Sequence, residues 1–247
     1  MTGDKMNIDV VFFDLDETLY DFETVKEAAN KGVAELIQAL GIANSKKFLE
    51  ALKQATDNIY KRYRGKPCLF DRRIRFRETL KILGINPNKD LIELLTMKFW
   101  NYVFSNIKPY PDVIPTLSSL QNLGIRLGII SDGLIEIQEK RLRALGISQF
   151  FDILVFSEEV GCNKPSPKVF KYALKIARAK PNRCVMIGDN VKTDILGANR
   201  VGIISVWIKR GIFKNVSPSS EMEIPKFIIN NLKQIFSLPI FQEKISR

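Results

Sequence analysis

The stretch VVFFDLDETL, residues 10–19, runs four apolar residues straight into Asp14 and sets a second carboxylate, Asp16, two positions on. Residues 8–13 (IDVVFF) mix β-branched and aromatic side chains without polar alternation. That pattern predicts a strand buried on both faces, as in a parallel sheet. Positions i and i+2 of an extended chain point the same way, so the two carboxylates repel each other at a buried strand end. A partner of opposite charge has to offset that repulsion.

Downstream of this strand the periodicity turns helical, from about residue 21 to 107. Val25, Ala29, Val33, Leu36 and Leu40 recur at helical spacing and stop at Gly41. Ser45 is the expected cap of a second helix striped by Phe48, Leu52, Ala55, Ile59 and Tyr63. Phe76, Leu80 and Leu83, ended by Gly84, mark a third helix, and Leu91, Leu95, Phe99 and Tyr102 a fourth. These four helices read as a compact helical insert. The proline-rich KPYPDVIP (108–115) is its far boundary. Beyond it, strand candidates at Leu127–Ser131, Ile153–Ser157, Cys184–Gly188, Ile204–Ile208 and, more weakly, Phe227–Ile229 are mostly separated by helical stretches. Such alternation predicts βαβ units and an α/β fold with a parallel sheet. Residues 211–224 read as a loop, and the tail from Lys226 as a last short strand and helix.

The 247 residues are long enough for one large domain, or a domain carrying an insertion, with a sizeable core. There is no histidine, which excludes Ser-His-Asp triads, H-E-x-x-H zinc sites and imidazole acid–base chemistry. Cys68, Cys162 and Cys184 are widely spaced and form no C-x-x-C pattern, so all three are expected to be buried, reduced packing residues. No apolar run approaches the ~18 residues of a membrane span. The opening MTGDKMNIDV lacks the apolar core of a signal peptide, so a cytoplasmic location is expected, with Met6 as a possible second start. The net charge of +11 suits an anionic partner, either a phosphorylated small molecule or nucleic acid.

The polar residues gather where the strands end. Asp14 and Asp16 follow the first strand; Ser131, Asp132 and Gly133 close the second. Lys164 lies in the loop EEVGCNKPSP after the third, and Gly188, Asp189 and Asn190 follow the fourth, with Asp194 close behind. Ligands of open α/β sheets bind outside the carboxyl ends of the strands, so these groups are expected to converge. Crowded carboxylates stay ionised when a cation neutralises them, and an all-oxygen ligand set suits a hard ion, magnesium being the natural one. A lysine and a serine hydroxyl beside it make a place for a phosphoryl group.

D-L-D-E-T at 14–18, S-D-G at 131–133, Lys164 in N-K-P-S-P, and G-D-N-x-x-x-D at 188–194 resemble, in order, the four motifs of the haloacid dehalogenase superfamily. The resemblance implies a Rossmann-like three-layer core over 1–20 and 108–247, a helical-bundle cap domain over 21–107, and magnesium-dependent phosphatase activity. Carried over residue by residue, it makes Asp14 the nucleophile and Asp16 the proton donor and acceptor. Ser131 and Lys164 would hold the phosphoryl oxygens, with Asp132 beside them. Asp14, the Asp16 backbone carbonyl and Asp189 would hold magnesium, with Asp194 in or near that shell. Asp132 departs from the asparagine of many relatives, and its side chain is a candidate to point away from the phosphate. Residues 18–24 and 105–111 would be the hinges of the cap. The implied substrate is a small phosphorylated metabolite of the sugar phosphate, phosphoglycolate or glyceraldehyde 3-phosphate class, and the protein would be a monomer or homodimer. Dehalogenases of this fold lack the second aspartate that Asp16 supplies.

Plainer readings exist for each residue alone. Asp14 and Asp16 could end a strand in a turn, Ser131 could cap a helix, Lys164 could be a solvated lysine, and Asp189 and Asp194 could favour a helix start. Together they require four coincidences. A phosphomutase of the same fold and a non-enzymatic, receiver-like phospho-switch are the competing functions. The stretch 61–77 (KRYRGKPCLFDRRIRFR) has eight basic residues and reads first as a solvated face. Alternatively some of these residues, such as Arg73 and Arg77 one turn apart, reach the cleft and bind the anionic substrate. The lack of aromatic interleaving counts against nucleic acid.

Overall fold

Strands β1 (Val10–Phe13), β2 (Arg126–Ser131), β3 (Ile153–Phe156), β4 (Cys184–Gly188), β5 (Ile204–Ile208) and β6 (Phe227–Ile229) form one sheet in the order β3-β2-β1-β4-β5-β6. Every pair is parallel. The computed structural model describes residues 8–245, and Met6 lies outside them. β1 begins two residues later than the apolar run suggests, and Ser157, expected to close β3, instead opens a short helix. Along β1, Val11 and Phe13 enter one hydrophobic core and Val10 and Phe12 another. Burial on both faces explains why the strand has no polar alternation. Helices α5 (Val113–Asn122) and α6 (Ile135–Ala144) contribute Leu117 and Leu142 to the first core. After the short helix α7 (Ser157–Val160), helices α8 (Pro167–Ala177) and α9 (Leu196–Val201) contribute Val169, Phe170 and Ala198 to the second. The strand order reverses between β1 and β4, which opens a crevice beyond their carboxyl ends. The tail adds a 3-10 turn at Leu232–Ser237 and helix α10 (Pro239–Ile245), and the expected loop 211–224 contains two short 3-10 turns.

The helical segment lies between β1 and β2 in the chain. It comprises α1 (Phe22–Ala39), α2 (Ser45–Tyr63), α3 (Arg72–Ile82) and α4 (Lys89–Asn106), the four helices that the periodicity predicts. Their shared core is a run of aromatic contacts, Phe48–Phe76, Phe76–Phe99 and Phe99–Trp100, with ring centroids 5.0 to 6.4 Å apart. Asp21, Asn44, Asp71 and Asn88 cap the four helices, each accepting a first-turn amide. Asn44 displaces the expected Ser45 because its carboxamide reaches both Lys46 N and Lys47 N. Leu40 and Tyr102, read as stripe members, are exposed, and Trp100 and Val103 take the buried face of the fourth helix. The two connections to this segment run side by side. Tyr20 pairs with Pro109, and Leu19 O accepts from Tyr110 N at 3.0 Å. Cys184 is buried as expected, but Cys68 and Cys162 are half-buried; all three are free thiols.

Asp112, just before α5, is 4% exposed and joins three distant segments. Its carboxylate accepts from Arg210 Nη1 at 3.2 Å and Nη2 at 2.5 Å, and from Leu232 N at 2.7 Å. Burial opposes its ionisation, yet Arg210 and the Leu232 amide outweigh that and hold the carboxyl below its usual range. Asp112→Ala is therefore expected to lower the unfolding free energy by about 3–5 kcal/mol at neutral pH. A carboxyl with a depressed native pKa stabilises above its unfolded value and loses that contribution as pH falls through the native one. The gap between parent and variant in urea denaturation should close in acid; an unchanged midpoint at pH 7 would contradict the assignment.

Candidate active site

Asp14 leaves β1 with its backbone N–H bonded to Ile187 O at 2.9 Å, which fixes it against β4. Leu15 turns into the core, fully buried, so Asp14 and Asp16 share the opposite side. Asp14, Asp16, Ser131, Asp132, Lys164, Asp189 and Asp194 all line one cavity of about 280 Å³ at the strand ends. The seven residues singled out in the sequence are thus brought together from four loops.

Lys164 is the hub. Its Nζ lies 2.5 Å from Asp14 Oδ1, 2.6 Å from Asp194 Oδ1 and 3.1 Å from Ile130 O. Burial works against the ammonium, but Asp14, Asp194 and Asp132 outweigh it and hold Lys164 charged. Burial pushes the Asp14 carboxyl up; Lys164 counters this, and Asp194 and Asp16 add to it. Asp189 is raised for the same reasons, by burial and then by Asp14 and Asp194. Gly188 lets Asp194 come this close, because a Cβ there would lie 2.4 Å from the Asp194 carboxyl.

Asp16 is held differently. It accepts from Tyr20 Oη at 2.6 Å and from Arg141 Nη1 at 2.9 and 3.0 Å. The Arg141 guanidinium lies 4.1 Å from the Phe22 ring centroid and 5.0 Å from that of Trp100, so a residue of α6 grips two helices of the segment after β1. Arg141 Nη1 also donates to Gln138 Oε1, and Gln138 Nε2 donates to Ser131 Oγ at 2.7 Å. Ser131 Oγ accepts in that bond, so its own proton is available to a ligand. Asp132 turns its carboxylate to the Lys164 amide at 3.0 Å, and burial pushes it up to about 6 against the Lys164 charge.

A divalent cation fits this constellation. Asp14, Asp189 and Asp194 each offer an oxygen within 4.8 Å of the others. Asp189 Oδ2 is buried with no hydrogen-bond partner. With all three carboxyls ionised around one ammonium the site would carry an excess of two negative charges, and the donors are oxygens suited to a hard ion.

The basic stretch divides otherwise than its spacing suggests. Arg73 turns back to Asp71 at 3.0 Å, and Arg77 is exposed. It is Arg72 and Arg75 that line the cavity. Arg141 also lines it, outside all the sequence motifs. The missed signal is the same in both cases. Arg72 shares a buried stripe with Phe76, Thr79 and Leu80, and Arg141 one with Gln138, Leu142 and Leu145. Arginine is almost never fully buried unless paired, so its place on an otherwise apolar stripe is the signal.

A family model described as a haloacid dehalogenase-like hydrolase matches residues 8–202. The chain is 32% identical over 231 residues to the glyceraldehyde 3-phosphate phosphatase of Methanopyrus kandleri, covering 94% of this chain and 97% of that protein. A haloacid dehalogenase-type phosphatase from Thermococcus onnurineus superposes with a TM-score of 0.67 at 26% identity, over 93% of this chain and 97% of that one. A 2-haloacid dehalogenase from Pseudomonas syringae superposes with a TM-score of 0.71 at 25% identity, over 97% and 99%.

Proposed function

The chain belongs to the haloacid dehalogenase-like hydrolase family, and from that premise we propose that it is a magnesium-dependent phosphatase acting on a small phosphate monoester. The observation that carries this reading is the paired environment of the two aspartates. Asp14 lies buried against Lys164 in the carboxylate cluster, while Asp16, on the same side, is held by Arg141 and Tyr20. A dehalogenase has no use for the second carboxyl; a phosphatase needs it to protonate an alkoxide.

In this mechanism a carboxylate oxygen of Asp14 attacks phosphorus in line as the bond to the ester oxygen breaks. Asp16 gives its proton to the departing alkoxide, then takes one from the water that attacks the aspartyl phosphate and restores Asp14. Lys164 Nζ and Ser131 Oγ–H hold phosphoryl oxygens and offset the charge that gathers on them. Asp14, Asp189 and the Asp16 carbonyl would hold the magnesium, with Asp194 adjoining; when bound, the ion neutralises the carboxylate and phosphoryl charge that meet there. Residues 21–107 would form the cap and 1–20 with 108–247 the core, with the connections at 18–24 and 105–111 as hinges. Cap closure keeps bulk water from the aspartyl phosphate until Asp16 is placed to activate one molecule. A cavity of about 280 Å³ favours a small ester, and the M. kandleri relative makes glyceraldehyde 3-phosphate a natural member of the test panel.

Phosphate release from a panel of small esters, with magnesium and with chelator, tests the reading. Release is expected with magnesium only. The ion, bound by the folded state alone, should also raise the melting temperature by roughly 5–10 °C at saturating concentration. Turnover indifferent to chelation, or a long-lived acyl phosphate without release, would overturn the proposal.

A further inference from the structure

The phosphoryl chemistry leaves one wall of the cavity unused. Arg72 and Arg75 reach it from the helix Arg72–Ile82. Arg72 is 5% exposed, with its guanidinium carbon 4.0 Å from the Phe99 ring centroid. Arg75 Nη2 donates to Leu69 O at 3.1 Å, and its Nε is buried without a partner. Among the described residues, neither guanidinium has a carboxylate within ion-pair distance. The acidic charges that act on Arg72 are those of Glu23 and Asp16. Both are already engaged, Glu23 by Lys26 at 2.5 Å and Asp16 by Arg141 at 2.9 Å.

Guanidinium does not lose its proton in proteins, so burial cannot be relieved by neutralisation. Two such groups, side by side and unpaired, raise the energy of the free protein. Burial and the neighbouring charges of Arg75 and Arg141 all act against the charged form of Arg72. Arg141, in the same cavity, has its anion in Asp16. Arg72 and Arg75 do not, and they open onto the space where the substrate's far end must lie if its phosphoryl group meets Asp14.

We infer that Arg72 and Arg75 form a second anion subsite, so that the substrate is a phosphate monoester bearing a further anionic group, a carboxylate or a second phosphoryl, at its other end. This rests on the phosphatase reading. It also separates the chain from a preference for glyceraldehyde 3-phosphate, whose far end is uncharged. Arginine's planar fork pairs two hydrogen bonds with either anion, and a dry pocket strengthens them.

Three phosphonates of one length resolve the question without turnover: propylphosphonate, 3-phosphonopropionate and propane-1,3-bisphosphonate, titrated calorimetrically in the presence of magnesium. The parent should bind the two anionic tails at least about tenfold more tightly than propylphosphonate. Arg75→Gln should erase that margin and leave propylphosphonate unchanged, as should Arg72→Gln. Arg75 is half-buried, so its variant carries the test even if loss of the Phe99 contact unfolds the Arg72 variant. Which of the two tails binds better identifies the anion. Equal affinity of the parent for all three, or an equal loss for all three in the Arg75 variant, would overturn the inference. Failure to hydrolyse any ester would count against the phosphatase reading while leaving this comparison intact.

Discussion

Asp14→Asn is expected to lower kcat by about 10⁴-fold or more while the protein becomes more stable in chelator. The amide keeps the shape of the side chain but supplies no anionic oxygen to attack phosphorus. The stability change follows from counting charge. Asp14, Asp189 and Asp194 face one ammonium, so ionising all three would leave an excess of two negative charges, and burial already pushes the Asp14 carboxyl up. Removing one carboxylate halves the excess. Single-turnover phosphate release and guanidinium unfolding with EDTA measure the two effects. Activity equal to the parent's would remove Asp14 as nucleophile, and a large loss of stability would show that it is needed mainly as the partner of Lys164.

Lys164→Met should move stability the other way. It leaves Asp14 and Asp194 buried with no shared cation, so that ionising the three carboxyls would leave three uncompensated charges. Breaking a buried pair by deleting one partner costs about 3–5 kcal/mol, and losing a donor to the phosphoryl oxygens costs roughly 10²–10³ in kcat. Saturating magnesium is expected to restore part of the stability and none of the kcat loss, because the ion supplies charge without occupying the lysine's position. Denaturation with and without magnesium, beside steady-state kinetics, separates the two. A variant as stable as the parent in chelator would contradict the charge count.

The parallel sheet was legible because β1, β2, β4 and β5 are buried on both faces, and such strands have no polar alternation to obscure them. The candidate residues were legible for a related reason: a carboxylate directly after an apolar run has few structural uses. What escaped reading was which face of a helix is buried when arginine lies on it. Arg73 and Arg77 are correctly spaced to share a face, but Asp71 draws Arg73 outward, and the buried stripe continues from Phe76 back to Arg72. Arg141 was hidden in the same way, by a stripe in which Gln138 and Arg141 replace apolar residues. The Ser45 cap failed on a smaller scale, since two adjacent cap formers compete and only the backbone decides between them. Sequence spacing does not decide whether Asp132 faces the phosphate or turns away; in the fold its carboxylate is engaged by the Lys164 amide.

The bond between Lys164 and Asp14 joins residues 150 positions apart, and that between Thr18 and Asp189 spans 171. In the denatured chain these carboxylates lie mostly beyond the ~8 Å screening length and hardly sense one another. Their repulsion therefore enters only when β4 docks beside β1, a closure across most of the polypeptide with a high entropic cost and slow kinetics. The helices at 22–106 form from neighbours in sequence and meet no such obstacle. The electrostatic burden of this protein thus falls on a non-local step of its folding, the pairing of β1 with β4.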